Sequence, residues 1–220
     1  RPAGGCTSVR RKNVEFQNLY RRLDASSEKY GGGSDFIILQ DDFFNKLIPP
    51  KSNELSDITT TAFSYERQSR AIKCLDLCED NYEYTNVKRH LKHIDVFKKD
   101  FKYLLIPINV RNSHWCLVMA NFTTHVITFV DSLGGENEMW SRVMKKFLVD
   151  HWNQTKGGNC PSWEMEQYKV GECIQQDSVN CAVYVTSYME CVLNDLPLHH
   201  VNNDNIGMLR KRLAINLVTG

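Results

Sequence analysis

Four side chains capable of covalent chemistry occur along the 220 residues in a fixed order: His114, Asp131, Gln175 and Cys181. A thiolate, not a thiol, attacks a carbonyl. An imidazole can take and return the proton, and a carboxylate can fix the imidazole's tautomer and stabilise its cation. A carboxamide can donate to a developing oxyanion. Together the four types fit nucleophilic acyl transfer. Each also has a plainer reading. A cysteine among apolar neighbours in a helix is most often a small core residue. A histidine beside Trp115 is often structural, Asp131 before Ser-Leu-Gly-Gly can cap a turn, and Gln175 can be an ordinary loop residue. Only the ordered combination favours the chemical reading.

The elements that must position these residues can be read from periodicity. Residues 103–110 form an apolar run suited to a buried strand, and 115–120 a second. Residues 125–130 form a third, with His125, Ile127 and Phe129 alternating with Val126, Thr128 and Val130. His114 precedes the second strand and Asp131 follows the third, so adjacent antiparallel strands would bring imidazole and carboxylate together. Residues 178–193 are apolar enough for a helix buried on most sides, with Ser178 or Asp177 as its cap. Cys181 then falls in the first turn, where unpaired N–H groups and the helix dipole favour the thiolate. Gln175, on the loop entering that helix, would complete a two-donor oxyanion hole with the Cys181 backbone N–H. Further helices are expected over 14–23, around 43–47, over 136–150 and over 205–217. Residues 36–39 are a short apolar run, 87–97 a helix or a turn leading into a strand, and 164–170 an edge strand. Strands and helices mix without regular βαβ alternation, which predicts an α+β fold.

Composition narrows the function classes. With 42% apolar and 24% charged residues, the chain has ordinary globular composition and can build a core without staples. A net charge of +1 provides no global field for nucleic acid or an anionic membrane. The basic clusters at Arg10, Arg11 and Lys12 and at Lys88, Arg89 and Lys92 read as solvated faces. No apolar run is long enough to span a bilayer, and no signal peptide is visible. The Arg-Pro-Ala-Gly-Gly start, without Met, fits a piece of a longer protein. The eight cysteines are dispersed and lack C-x-x-C pairs, which predicts reduced thiols in the nucleus or cytoplasm. No metal site is expected: His90 and His93 have suitable spacing, but no carboxylate or thiol completes the set. His125 is expected to pack, and His199 and His200 to be solvated.

The chain resembles the SUMO-specific protease family, within the larger clan that includes the adenovirus protease. The resemblance is carried by Leu-Leu-Ile-Pro-Ile-Asn at 104–109, Ser-His-Trp at 113–115, Val-Asp-Ser-Leu at 130–133 and Gln-Gln-Asp-Ser-Val-Asn-Cys at 175–181. The order His, Asp, Gln, Cys is the family's, as are the intervals of 17 from His114 to Asp131 and six from Gln175 to Cys181. Upstream, 14–23 resembles the family's first helix, Phe43-Phe44-Asn-Lys-Leu47 its Phe-Phe-x-x-Leu segment, and 87–97 the stretch before its first core strand. The resemblance covers nearly the whole chain and is most specific over 101–193.

That resemblance implies a papain-like α+β fold of the adenovirus-protease and SUMO-protease type: a central mixed sheet flanked by helices, with the nucleophile at a helix N-terminus. It implies one catalytic domain over 1–220, with a polar insert at about 51–80 like that of the family's divergent, chain-preferring branch. The implied activity is a cysteine peptidase or isopeptidase cutting after the C-terminal Gly-Gly of SUMO, without metal or organic cofactor. His114, Asp131, Cys181 and Gln175 would be catalytic. The implied partner is SUMO or another ubiquitin-like modifier, with no nucleic acid or membrane, for a monomer placed in the nucleus. Trp115 would roof a tunnel admitting only glycine backbone, although a core role for it stays open. Trp163 is a further aromatic candidate near the site. Two departures stand out: Asn180-Cys181-Ala182 replaces the family's Asp-Cys-Gly, and its Trp-Leu-Asn-Asp opening segment is missing before Val14. They favour one alternative, a module that holds a modifier without cutting it; a second, a protease for another modifier, stays open because the sequence does not separate the modifiers.

Overall fold

The computed structural model describes residues 36–38, 82–88, 96–97, 101–110, 113–171 and 174–219. The helices expected over 14–23 and around 43–47, the polar insert and the His90–His93 pair lie outside the described residues. A five-stranded mixed sheet organises the rest: β1 (Phe36–Ile38), β2 (Tyr103–Val110), β3 (His114–Asn121), β4 (Val126–Val130) and β5 (Glu164–Gln167), in that spatial order. The outer pairs β1–β2 and β4–β5 are parallel, and the two central pairs are antiparallel. A short helix α1 (Thr85–Lys88) precedes β2. Three longer helices follow: α2 (Glu138–Thr155), α3 (Cys181–Leu193) and α4 (Ile206–Thr219).

The central strands are apolar almost throughout because both faces of the sheet are covered. Leu104, Ile106, Ile108, Cys116, Val118, Ala120, Ile127 and Phe129 enter one core. Leu105, Trp115, Leu117 and Val130, from the alternate positions, enter the other. Helix α2 closes the first core with Met139, Val143, Met144, Phe147 and Leu148, which recur at helical spacing. Each large apolar side chain so buried contributes roughly 1.5–3 kcal/mol. Helix α3 closes the second with Tyr184, Val185, Tyr188 and Met189, and α4 adds Ile206 to that core. The architecture is therefore α+β, with a mixed sheet between helical layers.

The sequence reading of several boundaries is corrected by local backbone chemistry. His125 does not begin a strand. It takes a left-handed φ of 56° in the β3–β4 turn, and β4 starts at Val126. The Asn121 carboxamide accepts from the N–H groups of Thr123 and Thr124 at 2.9 and 3.1 Å, which organises that turn. Helix α2 starts at Glu138, where Asn137 accepts from the Met139 N–H at 3.1 Å, and it runs on to Thr155. Helix α3 begins three residues later than expected, at Cys181. Neither Ser178 nor Asp177 caps it: the N-cap position is Asn180, with no side-chain cap bond. β5 spans only Glu164–Gln167. Among the described residues, no helix is long and apolar enough to cross a membrane.

Candidate active site

The site forms at one end of the central strands. The Ser113 N–H donates to the Val110 carbonyl at 3.1 Å and Val110 pairs with His114, so that β3 opens on His114. Antiparallel β4 ends at Val130, paired with Leu117, so the chain emerging from it heads toward His114. Asp131 meets it there: His114 Nε2 lies 2.7 Å from Asp131 Oδ1. The carboxylate is buried and held in place, since the Leu133 N–H donates to the same oxygen at 2.8 Å. The Gly134 N–H donates to the Asp131 carbonyl at 2.9 Å, closing a turn in which Gly134 has φ of +72°. At Gly135 a Cβ would come within 2.5 Å of Asp131 Oδ2. The Gly-Gly pair thus serves two needs, a left-handed turn and room for the carboxylate.

Cys181 is the first residue of α3 and only 7% exposed. Burial pushes its thiol up, but the hydrogen bond and charge of His114 overcome this. The Trp115 and Ala182 backbone N–H groups add to the effect, and the net shift is downward. For His114, burial favours the neutral ring, but the Asp131 hydrogen bond, with contacts to Cys116 and Cys181, raises it well above its ordinary value. Both shifts favour a thiolate facing an imidazolium. A second thiol shares this imidazole: Cys116, two residues along β3, is pushed up to about 11, chiefly by burial, and is therefore a protonated thiol at neutral pH. Among the described residues, the group able to offer three metal ligands is His114, Cys116 and Asp131, whose ligand atoms lie within 4.8 Å of one another. Its imidazole and carboxylate already bond each other directly.

Gln175 is buried on the loop before α3 and fastened to the residue after Asp131. Its N–H donates to the Ser132 carbonyl at 2.7 Å, and the Ser132 hydroxyl donates to its Oε1 at 2.7 Å. Its Nε2 donates to the Asp177 carbonyl at 2.5 Å. The Asp177 carboxylate accepts from the Val179 and Asn180 N–H groups at 2.7 and 2.8 Å, and from Asn180 Nδ2 at 2.7 Å. Burial opposes its ionisation, but these donors hold its carboxyl below the ordinary range. Arg210 of α4 donates to Asn180 Oδ1 at 2.7 Å. Asn203 accepts from the Tyr184 hydroxyl at 2.9 Å and the Gln176 N–H at 3.2 Å, and it donates to the Ile174 carbonyl at 2.6 Å.

The structure brings His114, Asp131 and Cys181 together and ties Gln175 to the same strand end. Trp115 packs in the α3-side core that also contains Cys181. Trp163 does not belong here. It is buried at the opposite end of β3, with ring centroids 5.2 Å from Phe122 and 5.3 Å from His125. His199 and His200 are exposed on a 3-10 turn. The supporting roles of Ser132, Asp177, Asn180, Asn203 and Arg210 escape the sequence reading. The signal available was local only for Asp177 and Asn180, an aspartate two and three residues before the N–H groups it accepts from.

Residues 42–218 match the family model described as Ulp1 protease family, C-terminal catalytic domain. Sentrin-specific protease 5 of Homo sapiens is 31% identical over 133 residues, which are 59% of this chain and 17% of that protein. Sentrin-specific protease 2 of Homo sapiens is 23% identical over 134 residues, 60% of this chain and 22% of that protein. The matches thus span only about a fifth of the length of these relatives. Among solved structures, SUMO protease Ulp1 with its catalytic cysteine oxidised to a sulfonic acid superimposes with a TM-score of 0.62 at 18% identity, covering 93% of this chain and 76% of that one. The C-terminal Ulp1 protease domain in complex with Smt3, the yeast orthologue of SUMO, gives 0.60 at 16% identity, covering 94% and 74%. These likenesses show the same fold.

Proposed function

The chain belongs to the Ulp1 protease family, and from that premise we propose that it is a cysteine isopeptidase cutting after the C-terminal Gly-Gly of SUMO. Cys181 is the nucleophile, His114 the general acid and base, Asp131 the residue that orients His114, and Gln175 an oxyanion donor. One observation carries this reading: a thiol lowered at the start of α3 meets an imidazole raised by a carboxylate 2.7 Å away. The names of the relatives, sentrin-specific protease and SUMO protease, support the choice of modifier.

In the proposed reaction, the Cys181 thiolate attacks the terminal glycine carbonyl, whose oxyanion takes hydrogen bonds from Gln175 and the Cys181 N–H. The C–N bond breaks as imidazolium His114 gives its proton to the leaving lysine amine. The modifier stays on sulfur as a thioester. His114, now neutral, takes a proton from water, which attacks the thioester and displaces the thiolate, and the carboxylic acid so formed gives its proton to solvent. Trp115, beside the nucleophile, limits access to glycine backbone. No step calls on a metal or organic cofactor. Residues 1–220 act as one catalytic domain, as a monomer, in the nucleus or cytoplasm.

The test is turnover of a SUMO C-terminal fluorogenic amide and of poly-SUMO chains by the parent and by Cys181→Ala. Cleavage by the parent alone supports the reading. Cleavage that survives the substitution rejects the nucleophile. Cleavage of another ubiquitin-like modifier but not SUMO rejects the substrate, and SUMO binding without cleavage makes the chain a modifier-binding module.

A further inference from the structure

A glutamine can serve an oxyanion only if its nitrogen, not its oxygen, faces the reacting carbonyl. The two ends of a carboxamide are nearly the same size, so shape alone does not choose between them. A flipped Gln175 would present a carbonyl lone pair to a developing negative charge. The direction must be set by what the amide bonds to on its other sides. Two groups do this. The Asp177 carbonyl can only accept, and it takes one Nε2 proton at 2.5 Å. The Ser132 hydroxyl donates to Oε1 at 2.7 Å, and Ser132 is 0% exposed, so no bulk water competes for that contact. The Ser132 carbonyl also accepts the Gln175 backbone N–H at 2.7 Å, which fixes the residue's position as well as its orientation. Nε2 also makes a longer contact, 3.3 Å, to Asp177 Oδ1, so a substrate oxyanion competes only with that weaker contact for the second amide proton.

We propose that Ser132 is a positioning residue for the oxyanion donor, holding the Gln175 carboxamide with its nitrogen toward the scissile carbonyl. The inference rests on Gln175 being that donor. The end of β4 then has two roles, since Asp131 orients the base and the next residue orients the electrophile's partner. Both halves of the machinery are set by one dipeptide, 43 positions from the glutamine it holds.

Ser132→Ala leaves the amide oxygen without its donor and frees the side chain to flip. The expected result is a fall in kcat on the SUMO fluorogenic amide of roughly 10- to 100-fold, below the ~10²–10³ that follows complete loss of an oxyanion donor, with KM unchanged. Alkylation of Cys181 by iodoacetamide builds no oxyanion, so its rate and pH profile should match the parent's. In a Gln175→Ala background, Ser132→Ala should cost nothing further. The proposal is overturned if Ser132→Ala turns over at the parent rate, if its loss is undiminished in the Gln175→Ala background, or if alkylation falls in parallel. Ser132→Cys, nearly isosteric with only a weak donor, gives the same comparison should the alanine variant not fold. Failure of the underlying reading looks different: Gln175→Ala itself would then leave kcat unchanged.

Discussion

Cys116, inside β3, and Cys181, at the first position of α3, both lie against the His114 imidazole, yet their thiols are driven in opposite directions. Burial raises both. For Cys116 the nearby Asp131 charge adds to burial, and His114 does not offset them, so the thiol goes up to about 11. For Cys181 the same imidazole outweighs burial, with help from the Trp115 and Ala182 backbone N–H groups. Nearness to a base therefore does not choose the nucleophile. The difference lies in the balance at each sulfur: at Cys181 the imidazole, joined by the Trp115 and Ala182 N–H groups, outweighs burial, while at Cys116 the Asp131 charge joins burial against it.

The largest expected effect breaks the comparison outright. Cys181→Ala should lower kcat/KM on a SUMO amide by about 10⁴-fold or more, as removal of a nucleophile does elsewhere, and Cys116 should not substitute for it. Residual turnover labelled at Cys116 by a C-terminal electrophilic SUMO probe would show that the two thiols had been distinguished wrongly. Next in size is His114→Ala, expected to cost roughly 10²–10⁴-fold. The same variant sharpens the electrostatic claim. Because the Cys181 thiol is lowered in the parent, its thiolate fraction grows as pH rises through a value below the ordinary 9.0. Iodoacetamide alkylation should therefore level off at lower pH than for a free thiol. Without His114 only burial and the N–H groups remain, and the inflection must move up. An inflection that stays put would mean His114 is not what lowers the thiol.

The comparison also shows what a sequence can carry. The apolar run at 103–110 fixes β2 to the residue, because a strand buried on both faces needs no alternation to be seen. The meeting of His114 with Asp131 follows from strand adjacency and direction, both legible in the spacing of turns. The start of α3 was not legible. Asp177 makes the bonds of a cap, to the N–H groups of Val179 and Asn180, yet they close a turn that ends before the helix begins at Cys181. Cys116, two residues beyond His114 on one strand, lies on its face by the two-residue period and was overlooked, whereas Ser132 was not legible as the holder of Gln175. That last contact depends on a return of the chain over 43 positions that no local pattern encodes. Trp163 was misplaced for the same reason: proximity in a loop says nothing about which end of β3 that loop reaches.

A middle-sized effect tests how tightly the carboxylate must be held. Gly135→Ala would set a methyl 2.5 Å from Asp131 Oδ2. That oxygen cannot swing away freely, because its partner Oδ1 is fixed by His114 and the Leu133 N–H. Something must shift, and a displacement of about 1 Å in such a group costs on the order of 10²-fold in rate. The loss should appear in kcat, with SUMO affinity intact when measured by titration calorimetry on the Cys181→Ala background. A weakened affinity there would place the fault in the substrate groove rather than in the carboxylate.

The smallest effect is the most discriminating for the two thiols. Cys116 is packed in the α2-side core among Ile108, Val118 and Phe129. Cys116→Ala should therefore cost about 1 kcal/mol of stability through lost packing, seen as a melting point lower by roughly 2–4 °C for a domain of this size. Its kcat/KM should stay close to the parent's, because His114 and the Trp115 and Ala182 N–H groups that lower Cys181 are untouched. The alkylation profile of Cys181 should also keep its inflection, since His114 is held chiefly by Asp131. If Cys116→Ala instead loses activity on the scale of His114→Ala while remaining folded, then the buried thiol takes part in proton traffic with the imidazole. The contrast between strand interior and helix start would then describe two halves of one device, not a nucleophile and a bystander.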